Sequence, residues 1–229
     1  ELSARTTLPV FFENDDSAAA IAELLFGHGT EFSSFLYLYV GTFVGGGLVL
    51  NGNLEPGAHG NSGNIASMPV PPSRLETAAS GDDTRQTLLH RASLFVLQRH
   101  LAHSGFELKE DMANLGALLK PAQHIIDEWL EDCADALAHA LISAACVLDP
   151  EAIVIDSQLP QELVRRLAET VSERLRRALP SSVIMPQVRP GSLGPNANAV
   201  GAAILPFHFN FVPDRTELLT GGVPRRVQA

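Results

Sequence analysis

No apolar run in the 229-residue sequence reaches the ~20 residues that a membrane-spanning helix needs, so no spanning helix is expected within this segment. The N-terminus, Glu1-Leu2-Ser3-Ala4-Arg5, has no basic stretch followed by an apolar one, so it does not read as a secretory signal. It lacks a starting Met as well, and the chain reads as a fragment of a longer protein. Cysteine is scarce: Cys133 and Cys146 are the two. Both fall in what reads as one helix, where a rise of ~1.5 Å per residue sets them roughly 20 Å apart, beyond disulfide reach. They lie among Ala and Leu and read as buried structural thiols, a usage that suits a reducing cytoplasm. Cationic residues are outnumbered, 16 Lys and Arg against 26 Asp and Glu, for a formal net charge of -10. Such a surface repels phosphate backbones, so DNA contact would have to come from outside this segment. Internal repeats, low-complexity tracts and coiled-coil heptads are absent too, which excludes a solenoid or a long coiled coil.

What is present alternates between strand-like and helix-like segments. Leu8-Pro9-Val10-Phe11-Phe12, Phe35-Leu36-Tyr37-Leu38-Tyr39-Val40, Leu48-Val49-Leu50, Ala152-Ile153-Val154-Ile155 and Val183-Ile184-Met185 read as strands. Asn51-Gly52 is a hairpin turn signal. Helices are expected over residues 18–25, closed by Gly27, from Leu88 through Leu101, from Pro121 to the Asp149-Pro150 stop, and over Leu163, Leu167, Val171 and Leu175. Residues 197–205 read as a small-residue helix or turn. Residues 53–85, rich in Gly, Pro, Ser and Asn, form a long irregular connection of the kind that carries function or lacks order. This order predicts an α/β protein.

Two segments could carry chemistry. Glu13-Asn14-Asp15 ends a strand in front of a helix, where a carboxylate can act as a general base. Taken alone, the segment reads instead as a cap, with Asp15, Asp16 or Ser17 at the helix N-terminus. Gly41-Thr42-Phe43-Val44-Gly45-Gly46-Gly47 could bring backbone N–H groups to a phosphate, or could be a tight hairpin whose glycines take positive φ. His100 and His103 lie three residues apart on a helix with no third metal ligand nearby, and read as solvated surface histidines. Arg165, Arg166, Arg174, Arg176 and Arg177 read as a wet helix face, and Arg225-Arg226 as a frayed tail.

Residues 10–20, VFFENDDSAAA, are similar to a "V-x-x-E-N-D-A-N-A-A-A" motif, and residues 39–52, YVGTFVGGGLVLNG, resemble "L-G-T-G-I-G-G-G-I-V-I-N-G". Residues 57–70, GAHGNSGNIASMPV, resemble "G-A-N-G-N-A-G-E-I-G-H-M-P-V", and residues 148–155, LDPEAIVI, look like "L-D-P-E-x-I-V-L". Four motifs in this order over most of the chain identify it as similar to the ROK family of repressors, uncharacterised frames and sugar kinases. The resemblance implies the actin-like ATPase, or ribonuclease-H-like, fold of two lobes around a cleft. It implies that residues 1–229 are the C-terminal, sugar-kinase-like portion, with the first phosphate-motif lobe and, in a regulator, a winged helix-turn-helix lying upstream. In the family's kinases the residues matching Asn14 and Asp15 bind the sugar and deprotonate the attacked hydroxyl. The segment matching Gly41, Thr42, Phe43 and Gly45 faces the ATP phosphates.

The departures from the family pattern set the functional expectation. Phe43 stands for a glycine of the phosphate loop, Asn64 for a sugar-binding glutamate, and Ser67 for a histidine that touches sugar and a structural zinc. Asp156-Ser157 replaces a glycine pair near the nucleotide, and Asn198 interrupts the last small-residue nucleotide segment. The family's zinc cysteines are missing, so a zinc site of that kind is not expected. The second sugar glutamate matches Glu76 by letters or Leu89 by spacing, and the spacing is preferred. Each hydrogen bond missing at a buried sugar hydroxyl weakens binding by ~1–3 kcal/mol, and phosphoryl transfer depends on positioning and charge, so such losses compound. The resemblance then implies a ligand-sensing domain of a transcriptional regulator. It would bind a sugar-like effector near Asn14, Asp15, Asn64, Ser67 and Leu89, form homodimers or higher oligomers, and need neither metal nor cofactor. The alternative is an ATP- and Mg-dependent sugar kinase with Asp15 as base.

Overall fold

Phe35 to Val40 shows no polar alternation because both faces of the strand are covered, and all six residues are buried. This strand is the centre of the main sheet. The structure, a computed structural model, describes residues 5–78, 86–109, 112 and 114–211. The strands are β1 (Phe35–Val40), β2 (Val44–Leu50), β3 (Asn53–Leu54), β4 (Pro69–Val70), β5 (Gln86–Thr87), β6 (Ala152–Ser157) and β7 (Gln187–Pro190). The helices are α1 (Asp15–Phe26), α2 (Leu94–His103), α3 (Leu115–Leu118), α4 (Gln123–Leu148), α5 (Gln161–Ala178) and α6 (Ala197–Phe211). The main sheet runs β3-β2-β1-β6-β7, with β1 to β3 antiparallel and β6 and β7 continuing parallel to β1. β4 and β5 pair separately.

Alternation along β1 divides the core in two. Leu36, Leu38 and Val40 face the leucine-rich sides of α2, α4 and α5. Phe35, Tyr37 and Tyr39 face the opposite layer, where Ala19 and Ala20 of α1 and Ala197 of α6 pack. α4 buries Ile125, Ile126, Trp129, Leu130, Cys133, Leu137 and Leu141, the stripe its periodicity predicts, and stops at Asp149 in the left-handed conformation with φ 47°. Cys146 lies on the outer side of this helix and is exposed, so of the two thiols only Cys133 is structural and buried. Arg166 and Arg174 of α5 are not a plain solvated face. Arg166 bonds Asp127 at 2.6 Å, and Arg174 bonds Glu131 and Asp135 at 2.5 and 3.0 Å, tying α5 to α4. No helix among the described residues is long and apolar enough to cross a membrane.

Small residues let α1 approach both neighbours. A Cβ on Gly47 of β2 would lie 2.6 Å from Ala20 Cβ, and one on Gly201 of α6 would lie 2.1 Å from the Ala18 carbonyl oxygen. At Gly201 the obstacle is backbone, which cannot rotate away, so Gly201→Val is expected to destabilise the protein by about 1–3 kcal/mol in urea denaturation. A loss under about 0.5 kcal/mol would show that α6 can slide off α1.

Several expectations need correction. Leu8 to Phe12 forms no strand: Leu8 and Phe12 are over 70 % exposed, and the residues join no sheet, while Phe11 stacks on Phe209 at 5.7 Å. Val183 to Met185 is also irregular, with Ile184 81 % exposed, because the chain reaches the β6 edge only at Gln187. The glycines Gly45 to Gly47 are part of β2 rather than of a loop, and α2 begins at Leu94 after a short 3-10 turn at Leu88–His90. His103 is exposed as expected, but His100 is buried between Thr77 and Glu128, at 2.9 and 3.1 Å, because it shares the inner face of α2 with Leu97 and Leu101. Segment 79–85 and the Arg225-Arg226 tail lie outside the described residues.

Candidate functional site

Asn14 itself caps α1: its Oδ1 accepts from the N–H groups of Asp16 and Ser17 at 3.0 and 3.2 Å. Asp15 and Asp16 follow in the first turn, where the helix dipole favours negative charge. The two carboxylates diverge. Asp15 is exposed and turned toward Asn198, whose Nδ2 lies 3.5 Å from its Oδ2. Asp16 points over β2: a Cβ on Gly45 would lie 1.7 Å from Asp16 Oδ2, so glycine at 45 gives that carboxylate its place.

Across from α1, the segment from Gly60 to Ala66 presses onto β2. A Cβ on Gly63 would lie 2.9 Å from the Gly46 oxygen and from Gly47 Cα, and Gly63 has φ +78°. The result is a cleft of about 280 Å³, lined chiefly by Asn14, Asp16, Gly45, Asn61, Ser62 and Asn64. Asn64 Nδ2 donates to Asn61 Oδ1 at 3.2 Å, and Ser67 Oγ donates to Asn64 Oδ1 at 3.1 Å. A larger hollow of about 530 Å³ beside Asp127 and Glu131 lies outside this cleft, and an apolar groove of about 330 Å³ beside Val147 adjoins it, sharing Ser62, Gly63 and Asn64. The cleft gathers polar side chains from two segments, Asn14, Asp16 and Ser17 at the start of α1 and Asn61, Ser62 and Asn64 across from them, over a floor of Val44, Gly45 and Gly46.

Of the residues expected in the site, Asn14, Asn64 and Gly45 line this cleft, while Asp15 does not. Ser67 reaches it through Asn64. Leu89 is half-buried against the core, and Glu76 is exposed, so neither lines the cleft. Gly41, Thr42 and Phe43 make the β1–β2 turn. Its carbonyls accept from the first N–H groups of α2, Leu94 to Gly41 at 2.9 Å and Phe95 to Thr42 at 3.4 Å, and the Phe43 ring is 65 % exposed. None of Gly41, Gly45, Gly46 and Gly47 has positive φ; at Gly45, Gly46 and Gly47 the missing Cβ serves close approach.

Asp16 was legible only as a possible cap. The signal that could have found it is a charged residue standing where the motif has alanine. Burial, then the charge of Asp15, pushes its pKa up to about 7. Among the described residues no donor satisfies its carboxylate. A carboxyl whose folded pKa is raised contributes fully below its unfolded value near ~3.9, and its contribution is lost as pH rises toward the folded value. Asp16→Asn is therefore expected to be more stable than wild type at pH 8 and equal to it at pH 4, read as melting temperature. Equal stability at both would show Asp16 to be solvated.

On the opposite side of β1 a second polar group is fully buried. Asp156 accepts from Tyr37 Oη at 3.2 Å, Gly194 N at 3.0 Å and Ser157 N at 2.8 Å. Burial raises its pKa and lifts that of the Tyr37 hydroxyl above the usual range. Glu23, with no exposure, accepts from the hydroxyl and N–H of Ser192 and from the His28 N–H. A Cβ on Gly191 would lie 2.2 Å from Asp156 Cγ, so the loop after β7 is closed onto this pair.

The segment from Pro71 to Ala78 is held by an ion pair that sequence reasoning missed. Arg91, 1 % exposed, bonds Asp132 through Nη2 at 2.7 Å and Nε at 3.1 Å, Asp135 at 3.1 Å, and the Pro71 carbonyl at 2.9 Å. Ser73 Oγ and Arg74 N donate to the same Asp132 carboxylate. The donor set does not suit a Cys/His zinc site. Among the described residues no grouping of three His, Cys, Asp or Glu could hold a metal ion.

A family model described as ROK family matches residues 1–208. The chain is 34% identical over 206 residues to the uncharacterized protein y4fQ of Sinorhizobium fredii, covering 87% of this chain and 47% of that one. It is 28% identical over 226 residues to a glucokinase of Halalkalibacterium halodurans, covering 90% and 66%. The chain thus spans about half of the first relative and 66% of the second. Among solved structures, a ROK hexokinase from Thermus thermophilus superposes with TM-score 0.66 at 28% identity, covering 89% of this chain and 68% of that one. A ROK family glucokinase from Streptomyces griseus in complex with glucose and AMPPNP gives 0.64 at 24%, covering 89% and 70%. A ROK family transcriptional regulator, homolog of the E. coli MLC protein, gives 0.67 at 20%, covering 89% and 53%. These last two speak to the fold alone. The fold is the mixed α/β, actin-like ATPase fold of the ROK sugar kinases, present here in part. The chain belongs to the ROK family.

Proposed function

We propose that this chain binds a sugar in the cleft between the α1 N-terminus and the segment from Gly60 to Ala66. The observation that carries the reading is the convergence of Asn14, Asn61, Ser62 and Asn64 beside one carboxylate. Side-chain amides and hydroxyls offer both donors and acceptors, as a ligand covered in hydroxyl groups requires. That the relatives include a glucokinase and a hexokinase supports the class of ligand.

Of the two ROK activities, sugar phosphorylation draws more support from the relatives, which include a glucokinase and a hexokinase. Under it Mg-ATP is the cosubstrate. Asp15 would have to turn from Asn198 into the cleft to take the proton of the attacked hydroxyl, while Asn14 and Asn64 hold the sugar.

A specific set of observations favours the second reading, effector sensing without phosphoryl transfer. The Gly41 N–H, which a phosphate would need, is bonded to the Phe43 carbonyl at 3.1 Å, Phe43 stands for glycine in that turn, and Asp156-Ser157 stands for the family's glycine pair near the nucleotide. In that reading the sugar-like effector, a homodimer or higher oligomer, and DNA contact through a winged helix outside this chain complete the function. Here the Arg91–Asp132 pair, rather than zinc, secures the segment from Pro71 to Ala78.

Hexose-dependent ADP release from Mg-ATP, measured alongside calorimetric hexose binding, separates the two. ADP release lost in Asp15→Ala establishes the kinase. Sugar binding with no ADP release establishes the sensor, and no binding of any hexose overturns both.

A further inference from the structure

We infer that Asp16 makes the cleft selective for a sugar bearing a free ammonium group, a hexosamine, over the neutral hexose. This rests on the cleft being the sugar site. Asp16 is the charged residue among those lining it, and none of the others is cationic. A ligand carrying phosphate or carboxylate would meet one negative charge and no compensating cation. A ligand carrying an ammonium would meet a carboxylate with free lone pairs.

The geometry gives that carboxylate a fixed place. It lies over the bare Cα of Gly45, at the wall of the cleft, and no donor among the described residues satisfies it. A half-buried carboxylate without partners is costly. A hydroxyl-bearing ligand relieves part of that cost with one hydrogen bond. An ammonium relieves more, because a charge-assisted bond is roughly twice as strong as a neutral one. Asp15 on the same helix and the Tyr39 hydroxyl of β1 are the ionisable groups that bear on Asp16, whereas β2 and the segment from Gly60 to Ala66 bring none. The family motif has alanine at this position, so this preference would be particular to chains that carry an acid there.

Charge on both partners is required. Asp16 titrates at about 7, and an amine on a sugar ring resembles an α-amino group, near ~7.7–8.0. Both are substantially ionised at pH 7.4, while at pH 5.5 Asp16 is protonated and the pairing is lost.

The test is calorimetric titration of the whole protein with glucosamine, glucose and N-acetylglucosamine, which has the nitrogen without the charge. At pH 7.4 glucosamine is expected to bind on the order of tenfold more tightly than either neutral sugar. At pH 5.5 the preference should shrink to about threefold or less, and the isosteric Asp16→Asn should show none at either pH. Glucose binding as tightly as glucosamine at pH 7.4, or a preference that survives in Asp16→Asn, overturns the inference and leaves the sugar site standing. Binding of none of the three overturns the sugar site itself. The pH comparison on wild type keeps the test decisive if the variant folds poorly.

Discussion

Arg91→Met is expected to lower the unfolding free energy by about 3–5 kcal/mol, the cost of leaving one half of a buried ion pair without its partner. Asp132 is 5 % exposed and takes two bonds from the guanidinium, so without them its charge keeps, among the described residues, only the donors from Ser73 and Arg74. The same guanidinium holds the Pro71 carbonyl, and the segment from Pro71 to Ala78 should loosen with it. At ~2–4 °C per kcal/mol for a chain of this size, the melting temperature falls by roughly 10 °C. Arg91→Met with Asp132→Leu should recover part of the loss, since an apolar pair replaces a charge that would otherwise stay buried. A single variant within about 1 kcal/mol of wild type, by urea denaturation, would mean that water reaches the pair.

Gly63→Ala is expected to cost about 2–3 kcal/mol and to weaken sugar binding at least tenfold. Two effects add. A φ of +78° is unfavourable by roughly 1–2 kcal/mol for a residue with a Cβ, and that Cβ would lie 2.9 Å from the backbone of Gly46 and Gly47. Neither obstacle is a side chain that can rotate, so the segment carrying Asn61, Ser62 and Asn64 must lift from β2. Gly105→Ala, after α2 and outside the cleft, is the matched control. Its φ is +83° with nothing within 4 Å of the added methyl, so it should show the strain alone, and sugar affinity should stay within about twofold. Equal losses of affinity in the two variants would show that general destabilisation, and not the packing of the Gly63 segment on β2, weakens binding.

The layers were legible in the sequence where burial is uniform or periodic over many residues. β1 throughout and β6 over its first four residues are apolar because both faces are covered, and α4 and α5 carry long apolar stripes. Leu8 to Phe12 and Val183 to Met185 carry the same local signal and form no strand, because a strand also needs a partner edge. The site was half legible. Asn14 and Asn64 stand in motifs, and the structure brings them to one cleft. Three features depend on what lies across from them. Gly45 to Gly47 read either as a phosphate-facing turn or as a tight hairpin, and neither reading contains the close approach of α1 that the structure shows. Asp16 reads as a cap until Gly45 is seen beneath it. Arg91 is one more polar residue in a turn until Asp132, 41 positions away, is seen to meet it.

Calorimetric titration of wild type and Asn64→Leu with glucose and glucosamine tests the sugar site most directly. Asn64 is exposed and bonds only Asn61 and Ser67 among the described residues, so its loss should leave the melting temperature nearly unchanged. Losing one or two hydrogen bonds at ~1–1.5 kcal/mol each should weaken binding about tenfold or more. Saturable binding by wild type, weakened to that degree in the variant, is the expected result. No binding by wild type, or equal affinity in both proteins, would contradict a sugar site in this cleft.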